Sequence, residues 1–296
     1  MIQAAVGSFL RGVADALTHA RLSLVGAALM LHAIGLVITG ERWRVVIAAL
    51  GTRLALSRTI LINLAGIFVR NATPTTGLGG DASRVALMRA DGVPLAQGAA
   101  SFVWVRLAEV PPIAVLVALS APIAIDVIGR SHRAAATAAA AVVLAVALGW
   151  LNRKKLRTRL AELWERSRSV RIGGRAMGLA IFYATLAQVE TIARQIVVAA
   201  AFGLPLSIPQ AATVTAMGIA GGLVPTVGSI GAIDGSLVAG LMLCGASAQT
   251  AIAITVVERA ISYGITTTAG AAALAWLGGS GVLRAVRDRA EDPVTG

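Results

Sequence analysis

From Leu22 to Ile38 the chain runs without an Asp, Glu, Lys or Arg, and comparable apolar runs recur along its length. A helix needs about 20 mostly apolar residues to cross the hydrocarbon core of a bilayer, and about six to eight segments come near that length. Lipid offers no partner for backbone N–H and C=O groups, so only helices and closed barrels can span it. A barrel would show short strands of alternating polarity. Here the runs are long, rich in Ala, Leu and Val, and unbroken. Charged residues supply only 14% of the chain, against about 25% in soluble domains, and the mean hydropathy is +0.80. The predicted fold is therefore all-α: one polytopic membrane domain over residues 1–296 with about six to eight transmembrane helices.

A net charge of +12 would suggest nucleic acid in a soluble protein. That partner is rejected, because the charge is concentrated. Between Arg153 and Arg175 stand nine basic residues against Glu162 and Glu165. The positive-inside rule makes residues 152–176 a cytoplasmic loop, close enough to anionic headgroups to touch them. The expected location is the cytoplasmic (inner) membrane, multi-pass. One cysteine, Cys244, allows no internal disulfide. The N-terminus does not read as a cleavable signal, since Glu41, Arg42, Trp43 and Arg44 follow the first run with no small-residue cleavage site.

Along the chain, Leu22–Ile38 reads as a span, and Trp43–Leu56 as interfacial or the start of the next helix. Thr59–Ala72 is apolar, and Thr75–Pro94 is Gly-rich and too charged to span alone. Leu95–Ser120 is interrupted by Pro111-Pro112, which leaves open whether Leu95–Ile128 crosses once or twice. Ala134–Leu151, Met177–Phe202 and Ile208–Val224 read as spans. Ser236–Gly245 is short, and Thr250–Leu277 is long and apolar except for Glu258 and Arg259.

The breaks between these runs recur. Pro74-Thr-Thr-Gly77-Leu-Gly79-Gly80-Asp81 resembles Pro225-Thr-Val-Gly228-Ser-Ile-Gly231-Ala-Ile-Asp234. Asp81 and Asp234 each stand eleven residues before a glycine (Gly92, Gly245) and 25 before an arginine (Arg106, Arg259). A break, an acid, a glycine and an arginine in register predict a duplication, with repeat 1 at about 55–120 and repeat 2 at about 205–278. Hydrophobic segments broken by Gly and Pro at matching places in two halves point to a transport site. A broken helix there must face protein or a wet cavity, and a half-helix N-terminus offers N–H groups to an anion.

Arg106 and Glu109, three apart, share a helix face. Glu258 and Arg259 are adjacent, and Glu190 and Arg194 are four apart. A charge at mid-membrane costs about 2.5–3.5 kcal/mol on insertion scales. Such residues are kept either because each pair neutralises itself and locks helices, or because they line a cavity. Asp81 and Asp234 have two readings also, as helix N-caps or as ligands. Arg84, one turn beyond Asp81, sits at phosphate or among headgroups. His19, His32 and His132 have no ligand spacing, so no metal and no cofactor are expected. No nucleophile stands at working distance from a base, and an enzyme is not expected.

These residues resemble the lysylphosphatidylglycerol synthase transmembrane, or flippase-like, family. Thr73-Pro74-x-x-Gly77-x-Gly79-Gly80-Asp81-x-x-Arg84, then Gly92 and Val105-Arg106, resembles its first signature. Pro225-x-x-Gly228-x-Ile230-Gly231-Ala-Ile-Asp234, then Gly245 and Glu258-Arg259, resembles the second, except that the second acid is usually Glu. The resemblance implies re-entrant breaks and, from related domains, movement of aminoacylated phosphatidylglycerol between leaflets. The sequence given holds no aminoacylating soluble domain, so a synthase role is not expected.

The expected function is a lipid flippase-like transporter of an anionic phospholipid or a polyprenyl-phosphate-linked headgroup, its partners membrane lipids. Asp81, Arg84, Arg106, Glu109, Asp234, Glu258 and Arg259 are the expected substrate contacts. Pro74, Gly77, Gly79, Gly80, Pro225, Gly228 and Gly231 are the expected helix breaks. Two other readings stay open: a secondary transporter of a small polar solute, and a membrane scaffold organising partner enzymes.

Overall fold

A computed structural model describes residues 11–73, 78–130, 172–222 and 231–278. The expected span Ala134–Leu151, most of the basic loop, and the break residues Pro74, Gly77, Pro225 and Gly228 lie outside the described residues. Within them the fold is all helical, with nine α-helices and one π segment.

Helix α1 runs Leu22–Ala49 without interruption. Trp43–Ala49 is therefore its last two turns, not a separate interfacial piece. The polar residues that suggested a break are neutralised. Arg44 Nε donates to Glu41 Oε2 at 2.6 Å on the same face, and Arg42 points inward to a carboxylate on another helix. Helix α2 (Leu56–Ala72) and helix α3 (Leu78–Ala90) follow as a hairpin. Arg58 clasps Asp91 through two bonds of 2.6 and 2.5 Å, holding the start of α2 beside the end of α3.

Helix α4, Leu95–Arg130, contains Pro111, Pro112 and Pro122. The expected interruption at Pro111-Pro112 does not occur, and the segment crosses once. An internal proline removes a backbone bond and crowds the preceding turn, yet neighbouring helices make it tolerable in a membrane. Helix α5 is Gly174–Ala201. Helices α1, α4 and α5 are the three described helices long and apolar enough to cross a bilayer, and the chain is an integral membrane protein.

Helix α6 is Ile208–Gly222 and helix α7 is Ala232–Leu243. Of the expected span Ile208–Val224, the described part is Ile208–Gly222, and Leu223 and Val224 lie outside the described residues. Its 15 described helical residues rise about 22 Å at ~1.5 Å each. The Cys244 thiol reaches Gln210 O at 3.8 Å, so the start of α6 lies beside the end of α7. The long C-terminal apolar run divides into α8 (Ala248–Arg259), a π segment (Ala260–Ile265) and α9 (Thr266–Trp276), one directly after another. A π turn inside a helix is rare and often marks a functional position.

Helices α1 and α5 pack against each other in opposite directions. Arg21 N–H donates to Ala201 O at 2.9 Å, Gly35 faces Glu190, and Trp43 shares a cluster with Ala180. Two apolar clusters lie at opposite ends of this pair. One joins Trp43 and Val46 to Leu87, Met88 and Ala273. The other joins Val198 and Ala199 to Val214, Leu237 and Ile254.

Lipid gives helices no hydrophobic reason to associate, so close backbone approach through small residues matters more. A Cβ on Gly270 would meet Leu64 O at 2.4 Å, seating α9 on α2. A Cβ on Gly221 would meet Ala232 O at 2.6 Å, seating α6 on α7. Helix α6 also packs on α4, as α2 packs on α9. The turns after α1 and α5 pass through Gly51 (φ 105°) and Gly203 (φ 75°), a region that favours glycine.

Candidate functional site

Asp81 lies in the first turn of α3 and is almost wholly buried. Its Oδ1 accepts from Arg84 Nη1 at 2.5 Å, and its Oδ2 lies 3.8 Å from Arg106 Nη2. Arg106 Nη1 donates to Glu109 Oε2 at 3.0 Å. Glu109 Oε1 then accepts from Arg42 Nη2 at 2.7 Å. The result is a continuous chain of alternating charge, Arg84–Asp81–Arg106–Glu109–Arg42, drawn from α3, α4 and α1.

Small residues open room for it. A Cβ on Gly66 would fall 2.4 Å from Arg84 Cγ, and a Cβ on Gly80 would fall 2.7 Å from Arg70 Cβ. Trp43 stacks under Arg84 with 5.8 Å between guanidinium and ring centre, and Phe102 lies 5.3 Å from the Arg106 guanidinium. Such stacking favours a guanidinium in a partly desolvated place.

Arg70, on α2, stands within electrostatic reach of Asp81, Arg106, Glu109 and Arg259. Its side chain is accessible rather than buried, and it forms no ion pair among the described residues. Four arginines (42, 70, 84, 106) thus share two carboxylates. The surplus is positive.

A cavity of about 280 Å³ opens between α1, α4, α5 and α6, lined by Thr39, Arg42, Arg106, Glu109, Gln188 and Thr191 among others. Arg106 is half exposed there, at 51%. Its guanidinium is therefore held by carboxylates on one side and open on the other. Such a group can receive a phosphate or carboxylate without first breaking its own pairs.

The second set of charges is arranged differently. Glu258 and Arg259, adjacent in sequence, do not pair with each other, since neighbours on a helix point apart. Arg259 Nε lies 2.7 Å from Asp234 Oδ1 as an ion pair without hydrogen-bond alignment, and its guanidinium sits 4.7 Å from the Tyr263 ring centre. Asp234 Oδ2 accepts from the Gly231 N–H at 2.8 Å, closing the first turn of α7. Glu258 turns the other way, onto Arg194 Nη1. Arg194 Nε also donates to Glu190 Oε1 at 2.9 Å. One buried arginine here serves two carboxylates, and the surplus is negative.

Of the expected residues, Asp81, Arg84, Arg106 and Glu109 come together at one place. Asp234 with Arg259, and Glu258 with Glu190 and Arg194, form two further groups. Gly79 and Gly80 enter α3 and Gly231 (φ 82°) precedes α7. Arg42 and Arg70 were not among the expected site residues. Arg42 read as a flank of the first span, and Arg70 as part of an apolar segment. The missed signal for Arg42 is its spacing of 152 residues from Arg194; Arg70 offers only its position four residues before Pro74.

The family model described as the lysylphosphatidylglycerol synthase TM region matches residues 2–270. No curated protein matches the chain.

Proposed function

Because the chain belongs to the lysylphosphatidylglycerol synthase transmembrane family, whose subject is membrane lipid, we propose that it is a flippase-like lipid transporter and not an enzyme. It moves an anionic lipid, a phospholipid or a polyprenyl-phosphate-linked headgroup, between leaflets of the cytoplasmic membrane. The observation that carries this reading is the half-exposed Arg106 in a cavity of about 280 Å³ among membrane helices. The volume suits a headgroup and leaves acyl chains to remain in lipid.

A duplication supports transport over a scaffold role. Helices α1 and α5 are both 28 residues long. Thr39 and Thr191, Arg42 and Arg194, Val46 and Val198, and Gly51 and Gly203 are each 152 residues apart. Each threonine donates to the carbonyl four residues back, Gly35 O and Ala187 O, and both line the cavity. The packing follows suit, with α2 on α3 matched by α6 on α7, and α2 on α9 matched by α6 on α4. The unit α1–α4 thus recurs as α5–α9, with α8, the π segment and α9 together forming a fourth crossing opposite α4. Pro111-Pro112 and the π segment fall at corresponding places, beyond Arg106 and Arg259.

Two antiparallel crossing helices exchanged by a two-fold axis need that axis to run across them, in the membrane plane. The repeats are inverted in this reading, and the short hairpins α2–α3 and α6–α7 are re-entrant from opposite faces. That is an arrangement of secondary transporters.

The residues act on a headgroup as follows. Arg106, with Arg70 and Arg42 near by, supplies positive charge where the anion stops. Asp81 and Glu109 hold two of those guanidiniums oriented, so little is lost in ordering them. Gln188 and the two threonines offer neutral hydrogen bonds. The test is translocation of a fluorescent phosphatidylglycerol in proteoliposomes, read by quenching from outside. Arg106→Ala and Arg259→Ala should each abolish translocation while the protein still inserts. Full activity in both variants overturns the assignment. A sealed vesicle that accumulates a small anion but leaves the lipid in place would favour the solute transporter.

A further inference from the structure

We propose that Glu258 and Glu190, held on either side of Arg194, form a proton-binding site that couples transport to proton movement. This deepens the transporter reading and rests on it for the coupling; the proton site itself stands on geometry alone.

Glu190, Arg194 and Glu258 are 9%, 5% and 4% exposed. Arg194 Nε binds Glu190 Oε1 and its Nη1 binds Glu258 Oε1. One positive charge faces two carboxylates. A buried charge without a counter-charge is disfavoured, so the trio needs one further positive charge or one proton.

The other groups around the trio do not supply that charge. Arg259, next in sequence on α8, is taken by Asp234 of α7 and the Tyr263 ring of the π segment. From α1, His32 bonds Thr266 Oγ1 at 2.6 Å and feels Arg194; a cationic His32 would stand against a guanidinium. Arg42 of α1, the counterpart of Arg194, is paired with Glu109. Glu258 Oε2 has no hydrogen-bond partner among the described residues. It is the oxygen left for a proton, which converts Glu258 to a carboxylic acid while Arg194 keeps its pair with Glu190.

The site also borders the cavity. Glu190 Oε2 accepts from Thr191 Oγ1 at 3.3 Å, and Thr191 lines the cavity that exposes Arg106. Gly35 leaves the space, since a Cβ there would fall 2.7 Å from Glu190 Oε2. A proton can therefore reach Glu190 from the same water that admits a headgroup. An anion in that cavity favours protonation of the neighbouring carboxylates, and by linkage protonation favours the anion. Proton and anionic headgroup travel together, as a symport.

Infrared spectroscopy of the protein in phosphatidylcholine vesicles tests the site without any lipid substrate. The wild type should show the carbonyl stretch of a protonated carboxyl that disappears as pH rises. Glu258→Gln should remove it. Glu190→Gln should remove it or shift its midpoint, which keeps the test usable if one variant fails to fold. Glu109→Gln, outside the trio, should retain it. No titrating band in the wild type, an unchanged band in both trio variants, or a band set by sodium instead of pH overturns the proposal. In the translocation assay an imposed pH gradient should accelerate transfer of the fluorescent phosphatidylglycerol by wild type and not by Glu258→Gln. Equal acceleration of both overturns the coupling. No transfer by wild type under any gradient overturns the lipid reading, and the infrared titration then decides the proton site by itself.

Discussion

The two halves of the proposed duplication place an arginine at the same position of their first helix and then use it in opposite ways. Arg42 has one carboxylate, Glu109, which it shares with Arg106. Arg194 has two carboxylates to itself, Glu190 and Glu258. The first half is left with spare positive charge beside a cavity, and the second with a spare carboxylate buried beside it. A duplicated fold would give two identical half-sites if nothing else changed. In the proposed transporter, divergence of a few acids would suit one half to an anion and the other to a proton.

The largest blow to this comparison comes from Arg194→Ala, which strands two buried carboxylates. Breaking a buried pair by removing one partner costs about 3–5 kcal/mol, so this variant should lose most of its folded yield in detergent. Arg42→Ala should cost less, about 1–3 kcal/mol, because Glu109 keeps Arg106. Equal loss of thermal stability in the two would remove the asymmetry on which the comparison rests.

The glycines sharpen the same contrast. Gly66→Ala puts a methyl group into Arg84 Cγ and Nε, and overpacking of this kind costs about 1–3 kcal/mol. It should push Arg84 off Asp81 and slow translocation. Gly235→Ala in α7 meets nothing within 4 Å and should stabilise by up to ~1 kcal/mol through helix propensity. A thermal scan of the two variants should move in opposite directions.

Asp81 and Asp234 match in sequence but not in surroundings. Asp81→Ala removes the shared partner of Arg84 and Arg106, whereas Asp234→Ala removes the third-position carboxylate that accepts from the Gly231 N–H and one partly exposed pair. Translocation should therefore fall further for Asp81→Ala. The smallest effect is expected from Arg58→Ala, whose pair with Asp91 is partly exposed. Exposed pairs are worth roughly 0.2–1 kcal/mol, and the melting temperature should fall only slightly.

Much of this was legible in the residues. The apolar runs fixed the class, and the spacing of Asp81 to Arg106 and Asp234 to Arg259 marks the elements that the proposed duplication pairs. Asp81 with Arg84, Arg106 with Glu109, and Glu190 with Arg194 pair as their helical spacing requires. What was not legible depends on contacts between distant helices. Nothing near Arg42 in sequence names Glu109, and nothing near Glu258 names Arg194. The continuity of α1 through Glu41–Arg44 and of α4 through Pro111-Pro112 was hidden for the same reason. Local polarity and proline argue for a break, but Glu41 pairs with Arg44 within α1, Arg42 finds Glu109 on another helix, and neighbouring helices make the prolines tolerable.

The turns at Gly51 and Gly203 carry a consequence for how such a chain enters a membrane. An inverted pair has nearly the same shape upside down, so shape alone gives the insertion machinery no reason to prefer one orientation. Arg53 and Arg58 follow Gly51, with Arg89 brought beside them by the Arg58–Asp91 clasp. The corresponding stretches 202–207 and 244–247 contain no charged residue. The antiparallel packing of α1 and α5 places the arginine-bearing turn at the same end as Arg175. For the proposed inverted pair, the positive-inside rule makes this arginine-bearing end the one expected to stay in the cytoplasm.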